Sequence, residues 1–529
     1  MESITDNTVL IEDGKSKGRR EPLRGFLPAP EGQLEALSEA PLVTNTELST
    51  TCESLNRLKP PSPLAFASFS PRSKRYVLQS VIKEILDACE PPVIAEDGKI
   101  TKTKYYRLGA CKQLSTVFNP NNWHGSKRDL YDVFRQFGAE IEQNISMASI
   151  KYREKEAGGI EAHFGGLCRC DGVWVCPVCG PVVAEYRAKE IAQAMYLHQK
   201  AGGWVVFVTF TVRHKKRHEI KETLRCVSKS LASTKNGNQW KLFKDRTGLI
   251  GTIRAPEYTY TSSNGHHPHV HELWFFEDRP NLKEIKDWVF NRYCKFVVKH
   301  EGFDAPSKKR GVDMRLCLAS NQTIDVNDVF DTNNIESISS YISKGADVDK
   351  TLDEAVNNRQ WGAPEEMTKN QYKKTILADK GGEISSYNSI ALAMEYMLAQ
   401  YELSECMEHC PDDKEAVKAI RKRLFLFKKL YRDYADAFFG SQQLRWSDGL
   451  KDRFDIYEMK DKEINETFEN ELEELMSLDV KHLQKIVKFR LKGKILDIVE
   501  NEKYTTNIER IKAVESFLGS GLVRVNRYG

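Results

Sequence analysis

No apolar run in this chain approaches the ~18 residues that span a membrane; Trp204 to Val208, five residues, is among the longest. The opening MESITDNTVL carries acidic side chains where a secretory leader would place basic and then apolar ones. Cysteine is scarce, 12 in 529 residues, which excludes a disulfide-stapled scaffold. Net charge is also small: Lys plus Arg is 79 and Asp plus Glu is 75, leaving +4. Any nucleic-acid contact must then come from local basic clusters. A Walker-type phosphate loop is missing, since GADVDKT (345–351) has the Lys-Thr pair without the second glycine. These absences argue against a membrane-embedded, secreted or motor protein, and a cytoplasmic location is expected.

What remains is a globular composition, 40% hydrophobic and 29% charged, with length for about three domains. Residues 1–75 are rich in Pro, Ser, Glu and Lys. PLRGFLPAPEG and KPPSPLAFASFSPRSKR have linker character, so a disordered N-terminal tail is predicted there. Residues 76–160 are expected to be helical: Leu130, Val133, Phe134, Phe137, Ile141 and Ile145 follow a helical period across 128–150. A cysteine-rich segment and a helix fill 161–200. From 201 to 350 the elements alternate. GGWVVFVTFTV (202–212) predicts a strand, and Ile220, Leu224, Val227 and Leu231 space a helix ending near Asn236-Gly237. LIGTIRAPEYTYT (249–261) and HVHELWFF (269–276) predict a hairpin turning at Asn264-Gly265. Leu282, Ile285, Trp288, Val289, Phe296 and Val297 mark a second helix, GVDMRLCLA (311–319) a fourth strand, and IESISSYISKG (335–345) a short helix. This order predicts an α+β fold: a central antiparallel split-βαβ, ferredoxin-like sheet with helices on one face. Residues 351–529 read as a helical C-terminal region.

His269-Val270-His271 carries the sharpest chemical signal. Residues i and i+2 of a strand share a face, so both imidazoles can bind one cation. Glu257 lies on the partner strand, roughly opposite His271 and on the same face if the turn centres on Asn264-Gly265. A carboxylate as third ligand suits Mg²⁺ or Mn²⁺. His266 and His267 read as turn residues. Tyr341 and Lys344 are neighbours on one helical face, while Ile335, Ile338 and Ile342 share another. A tyrosine presented in this way can attack a phosphate as a nucleophile; a lysine beside it can contact the phosphate.

FVTFTV (207–212), HHPHVHEL (266–273) and YISK (341–344) stand in this order along the chain. Together they resemble the three motifs of rolling-circle replication initiators of plasmids and phages, within the HUH endonuclease superfamily. CRCDGVWVCPVCG (168–180) resembles the cysteine segment before their first motif, and FGSQQLRWSDGLKDRF (439–454) a segment near their C-terminal end. The resemblance covers about residues 160–500 and makes 201–350 an HUH endonuclease domain. It implies a metal-dependent enzyme that nicks one strand at an origin. Tyr341 would remain linked to the 5′ end and leave a free 3′-hydroxyl, with His269 and His271 as metal ligands. The implied partners are single-stranded or supercoiled origin DNA, a host helicase and a DNA polymerase, with no membrane. Some members carry a glutamate four residues before the tyrosine. Here Ser337 stands there, and Glu336 points ~140° away from Tyr341 on a helix. An HUH transposase or relaxase shares the chemistry, and a non-catalytic zinc-dependent DNA-binding regulator is the rival of another class.

Cys168, Cys170, Cys176 and Cys179 fall within twelve residues and can close a tetrahedral structural Zn²⁺ site. The alternatives are a redox pair in CPVC, unmetallated thiols, or His163 replacing one cysteine. Two basic clusters, Arg213, Lys215, Lys216 and Arg217 after the first strand and Lys308, Lys309 and Arg310 before the fourth, are candidates for DNA phosphate contact. Phe425, Phe427 and Tyr431 interleave with basic residues in RKRLFLFKKLYRDY (421–434), a pattern that suits single strands but also a helix core.

Overall fold

The computed structural model describes residues 60–88, 93–94, 100–101, 104–113, 148–155, 158–322, 351, 362–369, 386–519 and 523–524. The first elements are helices α1 (Pro63–Ser68) and α2 (Pro71–Ile85). They correct the N-terminal tail, which was expected to run to residue 75. Ser62 and Ser70 are N-caps, each accepting a backbone N–H, and each is followed by proline. Proline's missing N–H costs nothing in a first helical turn. A Ser-Pro pair that resembles linker by composition is here a helix start.

Further along lie α3 (Tyr106–Ala110), β1 (Ala148–Glu154), β2 (Ile160–Gly165), α4 (Cys179–Lys200), β3 (Trp204–Phe210), α5 (Ile220–Thr234), α6 (Asn238–Thr247), β4 (Leu249–Thr261), β5 (Gly265–Phe276), α7 (Leu282–Val297) and β6 (Val312–Cys317). After them come α8 (Ala363–Thr368), α9 (Ser389–His409), α10 (Lys414–Phe438), β7 (Arg445–Trp446), α11 (Asp461–Asn470), β8 (Glu473–Leu478), α12 (Val480–Lys488), α13 (Lys492–Val499), α14 (Asn507–Leu518) and β9 (Val523–Arg524).

The fold is α+β; among the described residues two main antiparallel sheets stand beside a short two-stranded pairing of residues 93–94 with 100–101. The larger has the order β6-β3-β5-β4-β7. Strand β5 pairs antiparallel with both β3 and β4, so these two run parallel with β5 between them, a split βαβ arrangement. Along β5 the even positions Val270, Trp274 and Phe276 pack with Val206, Val208 and Phe210 against α5, α6 and α7. The odd positions Leu273 and Phe275 pack with Val205 and Phe207 against Ile191, Ala194 and Met195 of α4. Helices therefore lie on both faces, not on one: α4, from the cysteine-rich segment, covers the second face. Leu450 and Phe454 join that core, and β7 extends the sheet beside β4.

The second, four-stranded sheet, β9-β8-β1-β2, joins residues 148–165 with the C-terminal strands β8 and β9. It corrects two expectations, a helical 76–160 and a helical 351–529. Strand β8 hides its period because the register shifts between Glu474 and Met476, and Leu475 and Met476 are both buried. Such a bulge cancels the alternation that marks a strand. Of the helix expected over 128–150, residues 128–147 lie outside the described residues, and 148–150 belong to β1. The short helix expected over 335–345 also lies outside them.

Candidate metal centres

Strands β4 and β5 stay in register from Ala255↔His271 to Thr261↔Gly265. The connecting turn is therefore Ser262 to Asn264, and Glu257 faces His269, not His271. The difference from the expected register is two residues, which leaves every side chain on its expected face. Glu257 Oε2 lies 2.9 Å from His269 Nε2 and 2.5 Å from His271 Nε2. The three ligand atoms fall within 4.8 Å of one another. Glu257 and His271 are buried and His269 is half-buried. Burial raises the Glu257 carboxyl, but the two facing imidazoles outweigh it and hold the group well below the usual carboxylate range. Burial lowers the His271 imidazole, with Glu257 opposing in part. One carboxylate and two imidazoles with an edge open to solvent suit a divalent cation that keeps positions for other ligands.

His266 and His267 belong to β5, not to the turn. His267 shares the face of His269, with ring centroids 5.3 Å apart, and its Nδ1 lies 2.7 Å from His214 Nε2. Burial takes the His267 imidazole down to about 3. His266 points to the other face, where its Nδ1 meets the Tyr258 hydroxyl at 3.0 Å. Hairpin parity is the signal that could have placed both histidines. Tyr341 and Lys344 lie outside the described residues.

The two basic connections meet at the end of the sheet that carries the histidines. Arg213 forms a β-bridge with Asp304. Thr211 N–H donates to the Gly311 carbonyl (3.0 Å), and its hydroxyl to the Arg310 carbonyl (2.6 Å). Gly265 has φ +79°, and a Cβ there would come within 2.9 Å of the Lys216 carbonyl oxygen. The segment holding Lys215, Lys216 and Arg217 is thus pressed against the β4–β5 turn, where only glycine fits. Arg213, Lys215, Lys216, Arg217, Lys308, Lys309 and Arg310 are all exposed, and Lys308 reaches Asp287 at 2.9 Å. On α10, Phe427 and Tyr431 are core while Phe425 is exposed.

The cysteine group differs from the expected set. Cys111, Cys170, Cys176 and Cys179 bring their sulfurs within 4.8 Å of one another, and all four residues are buried. Cys168 stands outside the group. Lys112 N–H donates to the Cys168 carbonyl at 2.7 Å, which lays residue 111 alongside this segment. Cys111 has no neighbouring cysteine in sequence, so no spacing rule could select it. His163 is also outside, its ring 4.8 Å from that of Phe468. Cys111 Sγ lies 3.5 Å from Cys179 Sγ and 3.9 Å from Cys176 Sγ. A disulfide needs about 2.05 Å, whereas a tetrahedron with metal–sulfur bonds of about 2.3 Å has edges of about 3.8 Å.

Several donors face these sulfurs. Gly172 N–H donates to Cys170 Sγ and Cys179 N–H to Cys176 Sγ, both at 3.4 Å. Gln79 Nε2 donates to Cys111 Sγ and Cys176 Sγ, both at 3.3 Å. Hydrogen bonds from Cys170, Cys176 and Cys179 pull the Cys111 thiol well below its ordinary value. The Cys170 thiol is pushed well up by hydrogen bonding with Cys111, and the Cys176 thiol by burial. The four sulfurs could hold a metal ion with no position left over.

Over 134 residues the chain is 32% identical to a protein named Protein rep from Streptomyces lividans, a match covering 20% of this chain and 29% of that protein. Over 132 residues it is 28% identical to a Neomycin resistance protein from Streptomyces cyanogenus, covering 20% of this chain and 30% of that protein. The chain thus spans less than a third of the length of these curated relatives. No family model and no solved structure matches it. The similarity to a Rep protein agrees with the resemblance that the three motifs carry.

Proposed function

We propose that the chain is a replication initiator that nicks one strand of origin DNA by metal-assisted tyrosine attack. The observation that carries this reading is the convergence of Glu257, His269 and His271 on one face of a split-βαβ sheet. The basic connections border the same sheet end. Similarity to a Rep-named protein adds support. Glu257, His269 and His271 would hold Mg²⁺ or Mn²⁺. A divalent cation there supplies positive charge to the scissile phosphate as its negative charge grows.

The chain's own groups do the rest. The Tyr341 hydroxyl attacks phosphorus and gives up its proton. A new bond joins its oxygen to phosphorus, and the bond from phosphorus to the 3′-oxygen breaks. The 3′ end leaves as a hydroxyl, and the 5′ end stays on the tyrosine. Lys344 would contact a phosphate oxygen. Arg213, Lys215, Lys216, Arg217, Lys308, Lys309 and Arg310 would track the strand's phosphates, giving steep salt dependence. A host helicase and polymerase would then extend the free 3′ end. Zn²⁺ in the Cys111, Cys170, Cys176 and Cys179 group would be structural.

The test uses labelled single-stranded DNA from the chain's own replicon with Mn²⁺ and a denaturing gel. A protease-sensitive adduct, absent in Tyr341→Phe and with EDTA, is the expected result. DNA binding without an adduct by folded, metal-loaded protein would replace this reading with a non-catalytic binding protein.

A further inference from the structure

An imidazole that ligates through Nε2 must carry its proton on Nδ1, so the group facing Nδ1 decides whether the ring is ready for metal. His269 and His271 differ in this respect. His269 Nδ1 lies 3.4 Å from the carbonyl oxygen of His267 on its own strand, a long contact. His271 Nδ1 lies 3.0 Å from Thr209 Oγ1 on β3. Thr209 stands directly across from His271 in the β3–β5 register. Phe207, two residues earlier on the same face of β3, lays its ring 4.9 Å from the His271 ring. Strand β3 thus meets His271 twice, through the tilted Phe207 ring and through the Thr209 hydroxyl.

We propose that Thr209 is a positioning residue: when a cation takes the place of the Nε2 proton that meets Glu257, the Thr209 hydroxyl oxygen accepts a proton on His271 Nδ1 and so keeps Nε2 free for the site shared with Glu257 and His269. This rests on reading those three residues as a metal site. It gives the FVTFTV strand a chemical task beyond packing. Without the hydroxyl, an Nδ1–H on a buried ring would have no acceptor, and the proton would stay on Nε2. Nε2 could then donate to Glu257 but could not ligate.

The experiment measures Mn²⁺ binding to the full chain without DNA, by the electron paramagnetic resonance of free Mn²⁺. Valine keeps threonine's shape and strand preference, and serine keeps its oxygen. Thr209→Val is expected to weaken Mn²⁺ binding ~10- to 100-fold and Thr209→Ser by less than about threefold, the scale of losses when a ligand's outer partner is removed or kept. Melting of the metal-free proteins should coincide. Mn²⁺ binding by Thr209→Val equal to the parent overturns the assignment, as does Thr209→Ser falling as far as Thr209→Val. A parent chain with no Mn²⁺ binding that His271→Ala removes would overturn the metal reading itself, and the role of Thr209 with it.

Discussion

The cysteine group and the Glu257, His269, His271 group are both donor clusters under 5 Å across, yet they are built in opposite ways. The cysteines come from separated segments, have amide donors around them, and are wholly buried. The histidines and the glutamate come from one hairpin, and the His269 side chain keeps 13% exposure. A closed four-sulfur site leaves nothing for a substrate to displace, so its ion can act only on folding. An open site with a carboxylate offers positions to a phosphate oxygen. The contrast separates a closed donor cluster, a clasp, from an open one within one chain.

The largest expected effect follows from breaking the clasp. Cys111→Ser should abolish zinc retention and cost on the order of 5 kcal/mol of stability, because metal binding and folding are one equilibrium at such sites. Cys168→Ser should keep its zinc and cost about 1 kcal/mol, as most substitutions do. Metal analysis and thermal melting check both. Zinc kept in the first variant and lost in the second would restore the set read from spacing alone. Next in size, His269→Ala should reduce adduct formation at least ~100-fold through loss of metal charge at the phosphate. Its stability should stay within about 2 kcal/mol of the parent. A variant that unfolds would place this group with the clasp.

Protons sharpen the comparison. Free Cys170 and Cys176 thiols sit well above their ordinary value. At pH 7.5 they are protonated and must lose those protons to bind metal. Zinc uptake by metal-free protein should release protons from these two thiols, and zinc affinity should fall as pH falls. Glu257 is held well below the carboxylate range and His271 below its ordinary value. At pH 7.5 the first is ionised and the second neutral, so neither has a proton to give. Calorimetry of each metal in buffers of different ionisation enthalpy reads the difference. Equal proton release at the two sites would remove it.

The same contrast explains what could be read in advance. The Glu257, His269, His271 group lies within one hairpin, so alternation along the strands placed all three on one face even with the expected partner of Glu257 two residues off. The strand read over 249–261 has those bounds in the structure, and those read over 202–212 and 311–319 enclose β3 and β6. These are β-branched and aromatic runs with clear punctuation. Legibility failed where the signal is not local. Cys111 enters the clasp because its neighbour Lys112 hydrogen-bonds the Cys168 carbonyl, a pairing that no spacing encodes. Helix α6 was missed because Asn236-Gly237 reads as a stop, whereas Gly237, at φ +79°, also caps a second helix. Strands β1 and β8 were taken as helix because each finds its partner in the other, far apart in sequence.

The smallest effect tests whether the clasp is closed by its own loops or by the fold around it. Gln79 is 2% exposed on α2, and its amide is the donor shared by Cys111 and Cys176. The Gly172 and Cys179 amides, by contrast, belong to the cysteine segment itself. Gln79→Leu preserves bulk and removes the shared donor, leaving two sulfurs less well matched as thiolates. Zinc transfer to a chelator should then be about tenfold faster, the scale of an outer-partner loss, with the loaded protein still folded. Unchanged transfer would mean that the loop amides suffice and that α2 merely packs over the site. Faster transfer would mean that the helix whose start resembles linker is part of what keeps the clasp shut.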